Sequence, residues 1–292
     1  MSDWEERITR DTPPSIQVEH ELRYRLVAPL IASSGVWADL GCGTGVGAAR
    51  ALAGARPRHA VLVDVAADAV EAAAGELGMP EARQITGDLT DARVIAQVGE
   101  ALLAADGPRV VSCFEVVEHL STFVPLLEWA GRLAREGSAT FVLSVPNDAF
   151  WSIENPYHQA RWGEGAFEEL RALLPDEHTL LRQVSLAGSA LTDWDGTAER
   201  HEVAVEVGGP ATIPTHLLAA FGPRHAELRR GAAAAQTDLL AQRRWERQRD
   251  SNLAFAEARL VEDAAEFERW RAYIHELERE LGRPLSGTQQ PE

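Results

Sequence analysis

Lysine is absent from this 292-residue chain, so every one of its 28 basic residues is arginine. Together with abundant alanine, this reads as genomic composition bias rather than as a functional signature. Cysteine occurs twice, at Cys42 and Cys113, each at an expected strand end. That excludes a disulfide framework and leaves no CxxC metal spacing. No apolar run approaches the ~20 residues a membrane-crossing helix needs. The first residues, Met1 to Glu6, are acidic and lack the apolar region of a signal peptide, which points to the cytoplasm. Basic charge is also in deficit: 45 acidic residues give a net charge of −17. That sign speaks against a protein whose affinity comes from neutralising phosphates. An apolar fraction of 45% is enough for a substantial core.

What is present is a regular alternation of short apolar strands and Ala/Leu-rich helices between Val36 and about Val145. Strands are expected at Val36–Leu40, Ala60–Asp64, Ala82–Thr86, Arg109–Cys113 and Ala139–Val145. Helices are expected at about 45–54, 67–77, 91–105 and 120–136. This βαβ alternation predicts an α/β fold with a parallel sheet and right-handed crossovers. A polar and aromatic loop follows at 146–163, then a helix near 164–174. The stretches 179–188 and 199–207 read as an antiparallel hairpin closing the sheet edge. Composition changes after Gly208-Gly209-Pro210. From there Leu228, Ala232, Ala235 and Leu239, and after a polar stretch at 242–249 Leu253, Ala256, Leu260, Asp263, Phe267, Trp270, Ile274, Leu277 and Leu281, keep 3-4 spacing, the pattern of a long helix or helical hairpin with a coiled-coil seam. The expected organisation is an N-terminal helical lid over 1–34, a catalytic domain over 35–209, a helical extension over 223–282 and a disordered tail over 283–292. The extension predicts a homodimer, with packing against the same subunit as the alternative.

The first strand ends in Asp39-Leu40-Gly41-Cys42-Gly43-Thr44-Gly45. Glycines let the backbone approach a ligand, and the following helix offers free N–H groups. A dehydrogenase uses such a loop for a pyrophosphate. Asp39 would repel that group but suits the amino group or sulfonium neighbourhood of S-adenosylmethionine. Asp64 ends the second strand, where a carboxylate can take both ribose hydroxyls. Asp88 ends the third and can accept from an adenine amino group. Each aspartate singly reads as a helix N-cap; three at successive strand ends beside the loop are more specific.

After the fourth strand comes Glu115-Val116-Val117-Glu118-His119. If a helix begins there, the two acids and the imidazole share one face at the sheet end where α/β folds bind ligands. The bland reading is a solvated helix start, with acids favoured by the helix dipole.

With these motifs the chain resembles the class I S-adenosylmethionine-dependent methyltransferases over about residues 20–207. The resemblance implies a Rossmann-like seven-stranded sheet, mostly parallel with an antiparallel last strand. It implies cofactor contacts from Asp39, Gly41, Cys42, Gly43, Asp64, Val65, Asp88, Leu89 and Phe114. The Glu-x-x-Glu-His element is similar to that of the ubiquinone-pathway O-methyltransferases and the small-RNA 2′-O-methyltransferases, where it binds a divalent metal. Ser144-Val145-Pro146-Asn147 followed by Asn155-Pro156-Tyr157-His158 is similar to bacterial methyltransferases of polysaccharide and sugar pathways, as are Glu19-His20 and Arg23-Tyr24. The implied metal ligands are Glu115, Glu118, His119 and His158.

A divalent ion there (magnesium, manganese or zinc) would lower the pKa of an acceptor hydroxyl. Two imidazoles lean the site away from an all-oxygen magnesium shell. A metal-free mechanism would use His158 or His119 as general base, and His158 could also simply shape the acceptor pocket. Trp151, Tyr157 and Trp162 can stack on a sugar or merely cover the pocket. The expected activity is O-methylation of a sugar or sugar-containing small molecule. The alternatives are RNA terminal 2′-O-methylation, a catecholic or quinone acceptor, and a non-catalytic coiled-coil scaffold. The strong negative charge and the lack of an added RNA-binding domain count against nucleic acid.

Overall fold

The computed structural model describes residues 7–52, 56–151, 157–162, 165–184, 214–230, 259 and 264–279. Residues 1–236 form one compact unit and 237–292 a second. The first unit opens with α1 (Pro14–Ala32), led by a proline whose missing N–H costs nothing at a helix start. The sheet strands are β1 (Val36–Leu40), β2 (His59–Asp64), β3 (Arg83–Thr86), β4 (Arg109–Phe114), β5 (Thr140–Pro146), β6 (His178–Gln183) and β7 (His216–Phe221). Between them lie α2 (Val46–Ala51), α3 (Ala67–Glu76), α4 (Ala92–Leu103), α5 (Val124–Arg135), α6 (Asp148–Trp151) and α7 (Ala166–Leu173). The strand order is β3-β2-β1-β4-β5-β7-β6, and β7 runs antiparallel to both its neighbours. The Rossmann-like seven-stranded sheet with its antiparallel β7 is therefore present. All five sequence-read strands from Val36 to Val145 are in it, within a residue or so at each end.

Burial on both faces explains why β1, β2, β4 and β5 are near-continuous apolar runs, whereas β3, at the sheet edge, buries only Ile85. Side chains of β1 alternate: Val36, Ala38 and Leu40 join the core under α4 and α5, whereas Trp37 joins the core under α1 and α3. Asp39 falls on the Trp37 side and is carried beneath α1.

The structure corrects several sequence expectations. The stretch after β4 does not open a long helix. Val117–His119 is a single 3-10 turn, and α5 starts only at Val124. Glu115 precedes that turn with φ of 55°, so the three groups do not share one helical face. The partner of β6 is His216–Phe221, beyond the composition change that marked the expected domain end at 209. The stretch 199–207 lies outside the described residues. Leu228, assigned to the coiled-coil stripe, sits in a short 3-10 helix (His225–Arg230) and is buried in the core with α1. Of the second unit, residue 259 and a helix over 264–279 are described, with Phe267, Trp270 and Tyr273 exposed. Residues 231–258, 260–263 and 280–282 of the extension and the 283–292 tail lie outside the described residues. No described helix is long and apolar enough to cross a membrane.

Candidate active site

A cavity of about 360 Å³ opens at the carboxyl ends of β1, β2 and β4. Its floor is the glycine loop. Gly41 has φ of 72°, and a Cβ there would run into the Val116 side chain; Gly43 has φ of 52° and faces open space. The Gly41 and Cys42 N–H groups donate to the Val63 carbonyl, which locks the loop over β2. The Asp64 carboxylate accepts from the Gly43 N–H, the Ala66 N–H and the Arg7 guanidinium, each at 3.0 Å.

Eight of the nine expected cofactor residues line this cavity: Gly41, Cys42, Gly43, Asp64, Val65, Asp88, Leu89 and Phe114. Asp39 does not. It is buried below the loop, accepting from Ser112 Oγ (2.6 Å) and Tyr24 O–H (3.0 Å). Burial pushes its carboxyl up to about 7. Asp39 thus holds Tyr24, whose ring meets Phe114 edge-on at the cavity wall.

On the β4 side, across β1 from Asp64 and Asp88, the cavity is lined by Phe114, Glu115 and His119. Beside them Glu118, His119 and His158 converge, with one ligand atom of each lying within 4.8 Å of the others. The loop bearing His158 is docked by its backbone: the Gln159 and Ala160 N–H groups both donate to the Glu118 carbonyl, at 2.7 and 3.0 Å. The two imidazole rings meet edge-on with centroids 5.0 Å apart. His158 Nδ1 lies 3.5 Å from Asp148 Oδ1. Glu118 is 1% exposed, and its Oε2 has no hydrogen-bond partner among the described residues. Burial, and then the Glu115 charge, push the Glu118 carboxyl up. A buried carboxylate oxygen with no partner, flanked by two imidazoles, is the donor set and the unmet demand that a divalent cation fits.

Glu115 is not brought into that cluster. Its Oε1 accepts from Ser144 Oγ at 2.6 Å, and its Oε2 lies 3.1 Å from His216 Nε2. Arg23 Nη1 is 3.8 Å from Oε1. Burial alone would raise this carboxyl, but Arg23 and His216 more than offset it and hold it below the usual carboxylate range. Arg23 is itself buried, donating to Gln183 Oε1, and its Nη2 has no hydrogen-bond partner among the described residues.

His216 and Ser144 were not read as site residues. Ser144 falls inside a quoted motif. His216 opens an apolar run that ends in Gly222-Pro223, a strand signal that the nearby composition change obscured.

Residues 17–203 match a family described as a methyltransferase domain. The chain belongs to that family. It is an S-adenosylmethionine-dependent methyltransferase. A comparison with curated proteins finds no significant match. Among solved structures, the methyltransferase domain of bacterial CtHen1 is 17% identical with a TM-score of 0.46, covering 70% of this chain and 98% of that one. The small RNA methyltransferase HEN1 is 17% identical with a TM-score of 0.47, covering 80% of this chain and 28% of that one. An O-methyltransferase from Bacillus cereus in complex with SAH is 14% identical with a TM-score of 0.40, covering 74% and 84%.

Proposed function

We propose that this methyltransferase transfers the methyl group of S-adenosylmethionine to a hydroxyl of a sugar or sugar-containing small molecule, assisted by a divalent cation. The observation that carries the reading is the convergence of Glu118, His119 and His158 at the methyl-donor cavity, with His119 belonging to both.

Asp64 would take the donor's ribose hydroxyls in place of Arg7, and Asp88 with the exposed Val65 would receive its adenine. The donor's methionine end then points towards His119. Glu118, His119 and His158 would hold manganese, zinc or magnesium, the imidazoles favouring the first two. A cation bound there supplies Lewis acidity that favours the ionised form of an acceptor hydroxyl. The half-exposed Trp151 and Tyr157 rings offer apolar faces of the kind that sugars stack on. The charge of −17 suits a small neutral or weakly charged acceptor better than a polyanion. Through the exposed aromatics of the helix over 264–279, two chains would pair.

The test is incubation with labelled S-adenosylmethionine against glycosides, nucleotide sugars and short RNAs, with and without chelator. The reading requires chelator-sensitive labelling of a sugar hydroxyl. Labelling confined to RNA 3′ ends would replace the acceptor assignment, and chelator-resistant turnover would remove the cation.

A further inference from the structure

Glu115 is the first acid of the Glu-x-x-Glu-His element, yet the fold gives it different company from Glu118. It lines the methyl-donor cavity between Phe114 and Val116, whereas Glu118 does not. A positive φ, rare for a non-glycine residue, turns it away from the single 3-10 turn that carries Glu118 and His119. Ser144 Oγ and His216 Nε2 then fix one carboxylate oxygen each. Glu118, His119 and His158 form a cluster without it.

We propose that Glu115 serves the methyl donor rather than the cation, as the fixed counter-charge of its sulfonium. The argument is one of position. Asp64 ends β2 and Asp88 follows β3, whereas Phe114, Glu115 and His119 lie at and beyond the end of β4, across β1 in the order β3-β2-β1-β4, and all five line the cavity. A donor stretched between them brings its sulfur to the Glu115 end. There a carboxylate held at both oxygens by Ser144 and His216 cannot swing away, and its partial burial leaves its field less screened than at the surface. Arg23, with Nη1 3.8 Å from Glu115 Oε1, is the opposing charge. Without the carboxylate, the buried Arg23 guanidinium would lose its nearest counter-charge and oppose the sulfonium. The inference rests on the preceding reading in one respect, that the methyl end of the donor faces His119.

S-adenosylmethionine and S-adenosylhomocysteine differ by one methyl group and one positive charge, so their affinity ratio isolates this interaction. By calorimetry, Glu115→Gln should bind S-adenosylmethionine at least tenfold more weakly. S-adenosylhomocysteine and Mn²⁺ should stay within threefold of the unaltered protein. Equal changes in both nucleosides, an unchanged ratio, or a loss of Mn²⁺ as large as that of Glu118→Gln would overturn the proposal. If the unaltered protein takes up no Mn²⁺, the cation reading falls while the nucleoside ratio still decides the role of Glu115. Should Glu115→Gln not fold, Arg23→Gln gives the same test with opposite sign. Loss of the opposing cation must raise the preference for S-adenosylmethionine, and an unchanged preference there contradicts the assignment.

Discussion

Asp39, Glu115 and Glu118 are carboxylates at one sheet end, the first and last buried and Glu115 partly so, and each has different neighbours. Glu118 has an oxygen without a partner beside two imidazoles. Replacing it with glutamine should lower turnover at least ~100-fold while leaving S-adenosylhomocysteine affinity within about threefold, the signature of a group acting on the reaction rather than on donor binding. Steady-state kinetics with calorimetry would check this; a variant at full activity would contradict it. Asp39 supports a stability prediction. Its carboxyl is pushed up to about 7 by burial, against ~3.9 in an unfolded chain. Between those values the folded state holds the proton more tightly, so this group's contribution to stability falls as pH rises through that window. His20, pushed down to about 3 chiefly by burial, has the opposite slope up to ~6.5. The two largely cancel in the unaltered protein. In the difference between Asp39→Asn and the unaltered protein His20 drops out. The variant should gain relative stability from about pH 4 to about pH 7, by at most about 4 kcal/mol at 1.36 per unit. Melting curves across that range measure it, and a difference that stays flat with pH contradicts the assignment.

The glycine loop and the acid-bearing turn are the elements on which the site is built, and they were unequally legible. The loop announces itself, because positive φ at Gly41 and Gly43 demands glycine. Substitution by alanine should separate two roles. Gly41→Ala drives a Cβ into Val116 and should cost stability, on the order of 1–3 kcal/mol. Gly43→Ala points its Cβ into open space, so it should cost only the left-handed strain of its positive φ, about 1 kcal/mol, and weaken donor binding. Denaturation and calorimetry on both variants would show equal destabilisation if this division is wrong. The strands β1, β2, β4 and β5 were legible because burial on both faces leaves little but apolar residues. The turn at Glu115 was not, since a non-glycine residue with positive φ carries no sequence signature and spacing alone suggested a helix. Asp39 was placed at the cavity by its motif, but strand alternation sends it beneath α1. His216 was passed over because β7 follows a composition change that resembled a domain end.

For the whole molecule, a surface of net charge −17 and a helix with exposed Phe267, Trp270 and Tyr273 bear on association. Three large aromatics exposed on one helix form a patch that a partner would bury. Trp270→Glu should halve the sedimentation mass if two chains pair there, and an unchanged mass would place the contact elsewhere. The central claim is that a cation and a methyl donor share one site, joined at His119. A Mn²⁺ titration of the S-adenosylhomocysteine-loaded protein, followed by calorimetry beside Glu118→Gln, tests it most directly. The account predicts one Mn²⁺ per chain and at least thirtyfold weaker binding in the variant. No uptake by the unaltered protein, or equal uptake by both, would contradict it.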